Sequence, residues 1–323
     1  MAVTIKPHGK HLPVDFAAGV VLCTPFDEKD GVNLRELDRL IDFQLNGGTE
    51  AIFFAGVAGE GPSMEEAEFA RALSHAAARC RGRCLAGACT AAASTRKAER
   101  LSRIAAECGA QVLLVAAPFY VRATPDGLAA HYAAIAEAAG LPVIVSNIPL
   151  RTGVTMERRT VLRLAALPGI VGLKDLSGDI QMVEEVLQEA PEGFRVWSGN
   201  DNAAVPYMSL GAAGVISVAG NLVPGEIAAL TGMMRRGAVA GAAALQLRLM
   251  PLIRSLFIEV NPIPVKTGLR MMGFEMGAFR LPLCAMEAPN EAAVRAVLER
   301  YDLIGKAPRG REPGAAQPIA RPG

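Results

Sequence analysis

Residues 142–175 read PVIVSNIPLRTGVTMERRTVLRLAALPGIVGLKD. An apolar run, Pro142–Val145, gives way to a polar turn and a longer amphipathic stretch, and the chain then returns to a second apolar run, Ile170–Leu173. Runs that are continuously apolar, and not alternating, are what strands buried on both faces of a parallel sheet require. The same unit recurs in both directions. Val20–Thr24, Ala51–Ala55, Cys84–Cys89 and Gln111–Ala116 precede it, and Phe194–Trp197 and Gly214–Val218 follow, which makes eight runs between Gly19 and Val218.

Helix signals lie between the runs. Asn33 with Glu36, and Ser63 with Glu66, have the spacing of a capping box. Thr124-Pro125 puts a capping hydroxyl before a proline at the first helical position, where the missing N–H costs nothing. Gly47-Gly48, Gly109 and Gly140 stand where helices stop. No G-x-G-x-x-G follows the first run, so the mark of an open dinucleotide-binding sheet is missing. The expected fold is α/β, a (β/α)8 TIM barrel over residues 18–223 after an N-terminal segment 1–17. Pro224 to about Ile304 reads as helical, which gives a C-terminal helical extension over 224–305. Residues 306–323, rich in Pro, Gly and Arg, are expected to be disordered.

Composition narrows the partners. The 323 residues carry a formal net charge of +1, which removes the electrostatic case for nucleic acid or an anionic membrane surface. Mean hydropathy is +0.28, yet charges, Gly and Pro break every apolar run before the ~18 residues a spanning helix needs. Asp15 before Phe16–Phe26 and Pro25 within it spoil the nearest approach to a signal peptide, so a cytoplasmic location is expected. The six cysteines form no C-x-x-C pair, and Cys80, Cys84 and Cys89 have no histidine at ligand spacing. His8, His11, His75 and His131 are scattered, and no metal is expected. A small molecule or a second copy of the chain is the expected partner.

Chemistry in such barrels sits at the carboxyl ends of the strands. Those positions here are Gly56–Glu60, Pro118–Tyr120, Ser146–Arg151, Lys174-Asp175, Ser198–Asp201 and Ile216-Ser217. The chain has 26 arginines and seven lysines, and of the lysines Lys174 directly ends an apolar run. An ammonium in an apolar interior is disfavoured, so the pKa falls and a nucleophilic amine becomes available for a Schiff base. The competing reading is a buried lysine paired with Asp175 or Glu60. Elsewhere, Glu60 and Lys266 read as structural, Asn200-Asp201 as a turn or cap, Trp197 and the Met271, Met272 and Met276 group as core, and His131 as a surface residue.

The runs GVAGE (56–60), PFY (118–120), SNIPLRTG (146–153), GLKDLSG (172–178), GVISVAGN (214–221) and NPIPVK (261–266) resemble, in order and spacing, the dihydrodipicolinate synthase / N-acetylneuraminate lyase superfamily. The resemblance covers about residues 18–304. It implies the barrel with a helical C-terminal domain, a homodimer or homotetramer, and class I chemistry with no metal or organic cofactor. By position, Lys174 matches the lysine that forms an imine with pyruvate or another 2-oxo acid. Arg151 matches the arginine that binds the carboxylate of the aldehyde substrate, Tyr120 a tyrosine that crosses into the neighbouring site, and Ile216 a backbone contact to pyruvate. Val57 and Ala58 stand where the family usually has hydroxyls, and Ser146 where it has a tyrosine acid/base. Backbone N–H groups at 57 and 58 can still bind a carboxylate. The expected function is a lyase or synthase joining or releasing pyruvate through Lys174. The alternatives are a 2-oxo sugar-acid aldolase or dehydratase, or a 2-oxo acid binding protein without turnover.

Overall fold

A computed structural model describes residues 14–306. Eight strands, β1 (Ala18–Val21), β2 (Ala51–Phe54), β3 (Leu85–Cys89), β4 (Val112–Ala116), β5 (Val143–Asn147), β6 (Ile170–Asp175), β7 (Arg195–Ser198) and β8 (Gly214–Ser217), close in sequence order into one parallel barrel. β8 pairs back onto β1. Each expected run holds one strand, but the ends move. β1 starts at Ala18 instead of Val20, and β6 runs to Asp175 instead of Leu173, so that Lys174 lies inside the strand.

Strand parity decides which residues meet inside. Neighbouring strands match Ala116 with Ser146, Ser146 with Lys174, and Lys174 with Trp197. A Cβ on Gly172 would lie 2.6 Å from the Trp197 ring, and one on Gly87 would lie 2.4 Å from the Phe53 ring. Both glycines therefore face the barrel interior, and so do the residues two further on, Lys174 and Cys89. The floor of the interior is aromatic. Phe16 stacks on Trp197 with ring centroids 4.6 Å apart, Phe53 tilts against Phe16, and the Trp197 indole N–H donates to the Phe16 carbonyl at 2.9 Å. The large rings fit because Gly87 and Gly172 face them without side chains.

Outside the barrel run α1 (Leu34–Asn46), α2 (Glu66–Cys80), α3 (Thr95–Glu107), α4 (Pro125–Ala139), the single turn α5 (Pro149–Thr152), α6 (Arg158–Ala165), α7 (Ile180–Glu189) and the short α8 (Ala204–Ser209). Asn33 caps α1 by accepting from the Glu36 N–H, and Thr124 caps α4 by accepting from the Gly127 N–H. Gly140 ends α4 in the left-handed conformation. The box expected at Ser63 and Glu66 does not form. Ser63 closes a 3-10 turn, Gly61–Ser63, and its hydroxyl donates to the Glu60 carbonyl.

Among the described residues four more α-helices follow β8: α9 (Pro224–Arg235), α10 (Val239–Ser255), α11 (Ile263–Met272) and α12 (Ala288–Arg300). α9 packs against β1 and β8 and beside α1, the place of the outer helix of β8. α10, α11 and α12 lie beyond it in the chain. Most of the expected segment 1–17, nearly all of the expected tail 306–323, and His8 and His11 lie outside the described residues. Among the described residues, no helix is long and apolar enough to cross a membrane.

One sequence expectation is corrected by packing. His131 is 2% exposed, not at the surface: it shares the inner face of α4 with Leu128 and Ile135 and contacts the Thr95 hydroxyl at 2.9 Å. Burial lowers its pKa to about 4, so it stays neutral. The cysteine cluster separates, because Cys84 hydrogen-bonds back to Cys80 at the foot of β3 while Cys89 ends that strand at the opposite end of the barrel.

Truncating the fully buried Trp197 to alanine should cost about 3–5 kcal/mol. Urea unfolding followed by far-UV circular dichroism measures it, since this is the single tryptophan. A loss under about 1 kcal/mol, the size of an ordinary surface change, would mean the aromatic floor does not hold the barrel together.

Candidate active site

Lys174 is 7% exposed at the end of β6 and makes no hydrogen bond or ion pair among the described residues. The buried carboxylates at this end of the barrel are all engaged elsewhere. Asp175 accepts from the Asn147 amide at 2.9 Å, the Ser177 hydroxyl at 2.8 Å and the Tyr207 hydroxyl at 2.9 Å. Asp201 accepts from the Ser217 hydroxyl and from the Val218 and Ala219 N–H groups, which ties the end of β7 to the end of β8. Glu60 pairs with Lys266. Neither partner that the sequence left open for Lys174, Asp175 or Glu60, holds it. Burial lowers its pKa to about 8 against the opposing pull of Cys89 and Asp201, so the free amine is a minor but accessible form near neutral pH. Gly199 makes room for it: a Cβ there would lie 2.9 Å from Lys174 Cε and 2.3 Å from Leu176 Cγ.

The turn after β2 is built around its glycines. Ala55 and Glu60 hold left-handed φ values of 57° and 53°, and Gly59 and Gly61 donate back to the Gly56 carbonyl, each at 3.1 Å. A Cβ on Gly61 would fall 1.8 Å from the Ala55 carbonyl oxygen, so no other residue fits. The Val57 and Ala58 N–H groups donate to nothing among the described residues. Two consecutive free backbone donors are suited to an anion.

This turn is stapled to the C-terminal helices. Glu60 receives the Lys266 ammonium at 2.6 Å through one oxygen and the Arg280 N–H at 3.0 Å through the other. Lys266 is fully buried, donates also to the Ala278 carbonyl at 2.9 Å, and lies over the Phe26 ring. Arg280 forks onto the Glu68 carboxylate at 2.7 and 2.8 Å. The helical extension thus positions a loop of the barrel mouth.

The remaining sequence candidates divide. Ser146 is buried next to Lys174 on the neighbouring strand, and its side chain makes no hydrogen bond among the described residues. Ile216 is buried in β8 opposite Gly19, within the barrel wall. Arg151 is exposed on α5 and spends one N–H on the Asn261 carbonyl at 2.8 Å, leaving the rest of its fork open. Tyr120 is not brought to Lys174 within one chain: it is 95% exposed, at a left-handed φ of 75°, on a rim that also carries the exposed Leu150 and Val121. Two features went unread in the sequence. One is the Asn147–Asp175–Tyr207 network, which fixes the strand end that carries Lys174. The other is Cys89, which faces the same interior and packs under the turn, with its Sγ 2.9 Å from where a Gly56 Cβ would stand. Alternation from Gly87 would have shown it.

The family model of the dihydrodipicolinate synthetase family matches residues 18–301. The 4-hydroxy-tetrahydrodipicolinate synthase of Thermoanaerobacter sp. strain X514 is 39% identical over 297 residues, covering 92% of this chain and 100% of that protein. The enzyme of the same name from Exiguobacterium sp. strain AT1b is 41% identical over 283 residues, covering 88% of this chain and 97% of its own. Among solved structures, dihydrodipicolinate synthase from Aquifex aeolicus superposes with a TM-score of 0.87 at 37% identity, over 89% of this chain and 98% of that one. The chloride-inhibited enzyme from Acinetobacter baumannii, complexed with pyruvate, gives 0.86 at 34% identity, over 89% and 99%.

The two buried lysines should respond oppositely to removal. Lys266→Met leaves the Glu60 carboxylate buried and unpaired, and should cost about 3–5 kcal/mol. Lys174→Met removes a group whose charged form the fold disfavours. Below about pH 8 both folded and unfolded chains hold that proton and folding bears its burial; from there to 10.5 only the unfolded chain holds it, so stability rises with pH. The Lys174→Met protein should accordingly be more stable than its parent at neutral pH, with the advantage gone near pH 10.5. Chemical denaturation across that range measures both, and an equal loss from the two substitutions would make Lys174 a structural lysine.

Proposed function

Because the chain belongs to the dihydrodipicolinate synthetase family, we propose that its barrel mouth carries out class I aldolase chemistry with Lys174 as the Schiff-base residue. The protein is a pyruvate-using lyase or synthase of that family. The observation that carries the assignment to Lys174 is its isolation: a buried amine at a strand end, with every neighbouring carboxylate already bonded.

The chemistry follows from the surroundings. The free Val57 and Ala58 N–H groups hold the carboxylate of a 2-oxo acid, which turns its carbonyl carbon toward the amine. The amine adds, water leaves, and a protonated imine results. That cation draws electrons from C3, so a proton lost there gives an enamine whose carbon attacks an aldehyde; reversal of the same steps cleaves one. The imine is its own electron sink, and the reading assigns no metal or organic cofactor. The open face of the Arg151 guanidinium suits a carboxylate on the second substrate, since a planar fork matches two carboxylate oxygens. Val57 and Ala58 leave the mouth apolar in place of hydroxyl-lined, which favours sugar-acid aldol or dehydration chemistry as the second reading. The exposed rim of Tyr120, Val121 and Leu150 supports self-association as a dimer or tetramer, and six free thiols support a cytoplasmic setting.

Purified protein given pyruvate and aldehydes with and without a carboxylate, and in reverse a set of 4-hydroxy-2-oxo acids, should consume or release pyruvate with at least one member. Lys174→Met should abolish it. The rate of the imine-forming step should rise with pH through about 8 as the amine loses its proton. A carboxylated aldehyde as the best partner identifies the synthase branch. No turnover of any member in either direction would leave the barrel as a binding protein.

A further inference from the structure

The imine chemistry above leaves Cys89 without a task. The thiol ends β3 on the interior face and is half-buried, with its Sγ against Gly56 at the head of the turn that offers the Val57 and Ala58 N–H groups. Lys174 reaches into the same interior, nine-tenths buried and without a partner among the described residues. The two groups are close enough that each feels the other's charge. A carboxylate held by the turn and a carbonyl carbon held at the lysine place the rest of a three-carbon 2-oxo acid in the space that Cys89 borders. The other proton-bearing side chains of that space do not compete. Ser146 offers an alcohol whose proton is too tightly held for the work, Asp201 is bonded through both oxygens, and Tyr120 stands on the outer rim.

We propose that Cys89 is the acid and base of the imine cycle in this chain; the proposal rests on the reading of Lys174 above. The amine adds to the carbonyl carbon, and its proton passes to the new oxygen, giving a neutral carbinolamine. The nitrogen lone pair then expels the hydroxyl, which leaves as water with the Cys89 proton. An iminium cation and a thiolate remain side by side. The thiolate next takes a proton from C3, the C–H electron pair becomes the C2–C3 double bond, and the C=N pair returns to nitrogen. The products are an enamine and the original thiol, with no oxidant, reductant or further reactant consumed. Burial keeps the resting thiol protonated by pushing its pKa up to about 12, which is the state the first transfer needs, and the positive charge at Lys174 acts the other way. The iminium supplies that charge at the step where a thiolate is formed.

Exchange of the pyruvate methyl protons in D2O, followed by proton NMR, reads this half-reaction without any second substrate. The parent protein should exchange them, and Cys89→Ala and Cys89→Ser should slow exchange by about 10²-fold or more. Pyruvate should still bind both variants, with a dissociation constant within a few-fold of the parent's. Cys89→Ser keeps nearly the volume of the thiol, so a loss confined to Cys89→Ala would mean packing and overturn the proposal. Exchange near the parent rate in both variants overturns it as well, with the assignment of Lys174 intact. No exchange by the parent itself overturns the proposal too, and borohydride trapping of pyruvate on Lys174 then decides separately whether the reading of Lys174 falls with it.

Discussion

An ammonium group in a protein interior has to be paired or has to give up its charge, and the mouth of this barrel separates the two outcomes. Lys266 is fully buried and paired, with Glu60 at 2.6 Å and a carbonyl and an aromatic face for company. Lys174 is nearly as buried and has no pair among the described residues. Its isolation is constructed. Asp175, its sequence neighbour, points to the opposite side of the strand and is held there by Asn147, Ser177 and Tyr207. Asp201 is turned toward the backbone after β8. The same fold that could have neutralised the lysine spends each nearby carboxylate on framework, and a nucleophilic amine is what is left.

The rest of the structure serves that arrangement. The aromatic floor of Phe16, Phe53 and Trp197 fills the lower interior, and burial at the mouth above it lowers the pKa of the amine. Glycines at 87 and 172 let the rings in, and Gly199 lets the lysine stem through. At the mouth, the helical extension reaches over the barrel: Lys266 on α11 and Arg280 beyond it hold Glu60, and Glu60 anchors the turn whose two free N–H groups await an anion. The extension and the barrel are thus coupled through one carboxylate.

Much of this was legible in the sequence, for identifiable reasons. Buried parallel strands are apolar from end to end, so all eight runs stood out, and Lys174 was conspicuous as a charge at the end of one. Periodicity could not say where each strand stops, because Lys174 and Asp175 are polar residues that the ladder carries anyway. His131 was misplaced because α4 is so rich in alanine that its polar and apolar faces hardly differ. The pairing of Glu60 with Lys266 spans 206 residues and leaves no local trace. Cys89 was hidden by its chemistry, since a half-buried cysteine reads as a small hydrophobe until strand parity turns it toward the interior.

Whatever carries the protons, the unpaired amine of Lys174 is the group around which the described site is arranged. The central claim is therefore that Lys174 forms an imine with a 2-oxo acid, and borohydride reduction of the protein with pyruvate present, followed by peptide mass spectrometry, tests it most directly. A reduced pyruvyl adduct on the peptide carrying Lys174, with Lys266 unmodified, is the predicted result. Absence of an adduct with pyruvate and with longer 2-oxo acids, or an adduct on a different lysine, would contradict it.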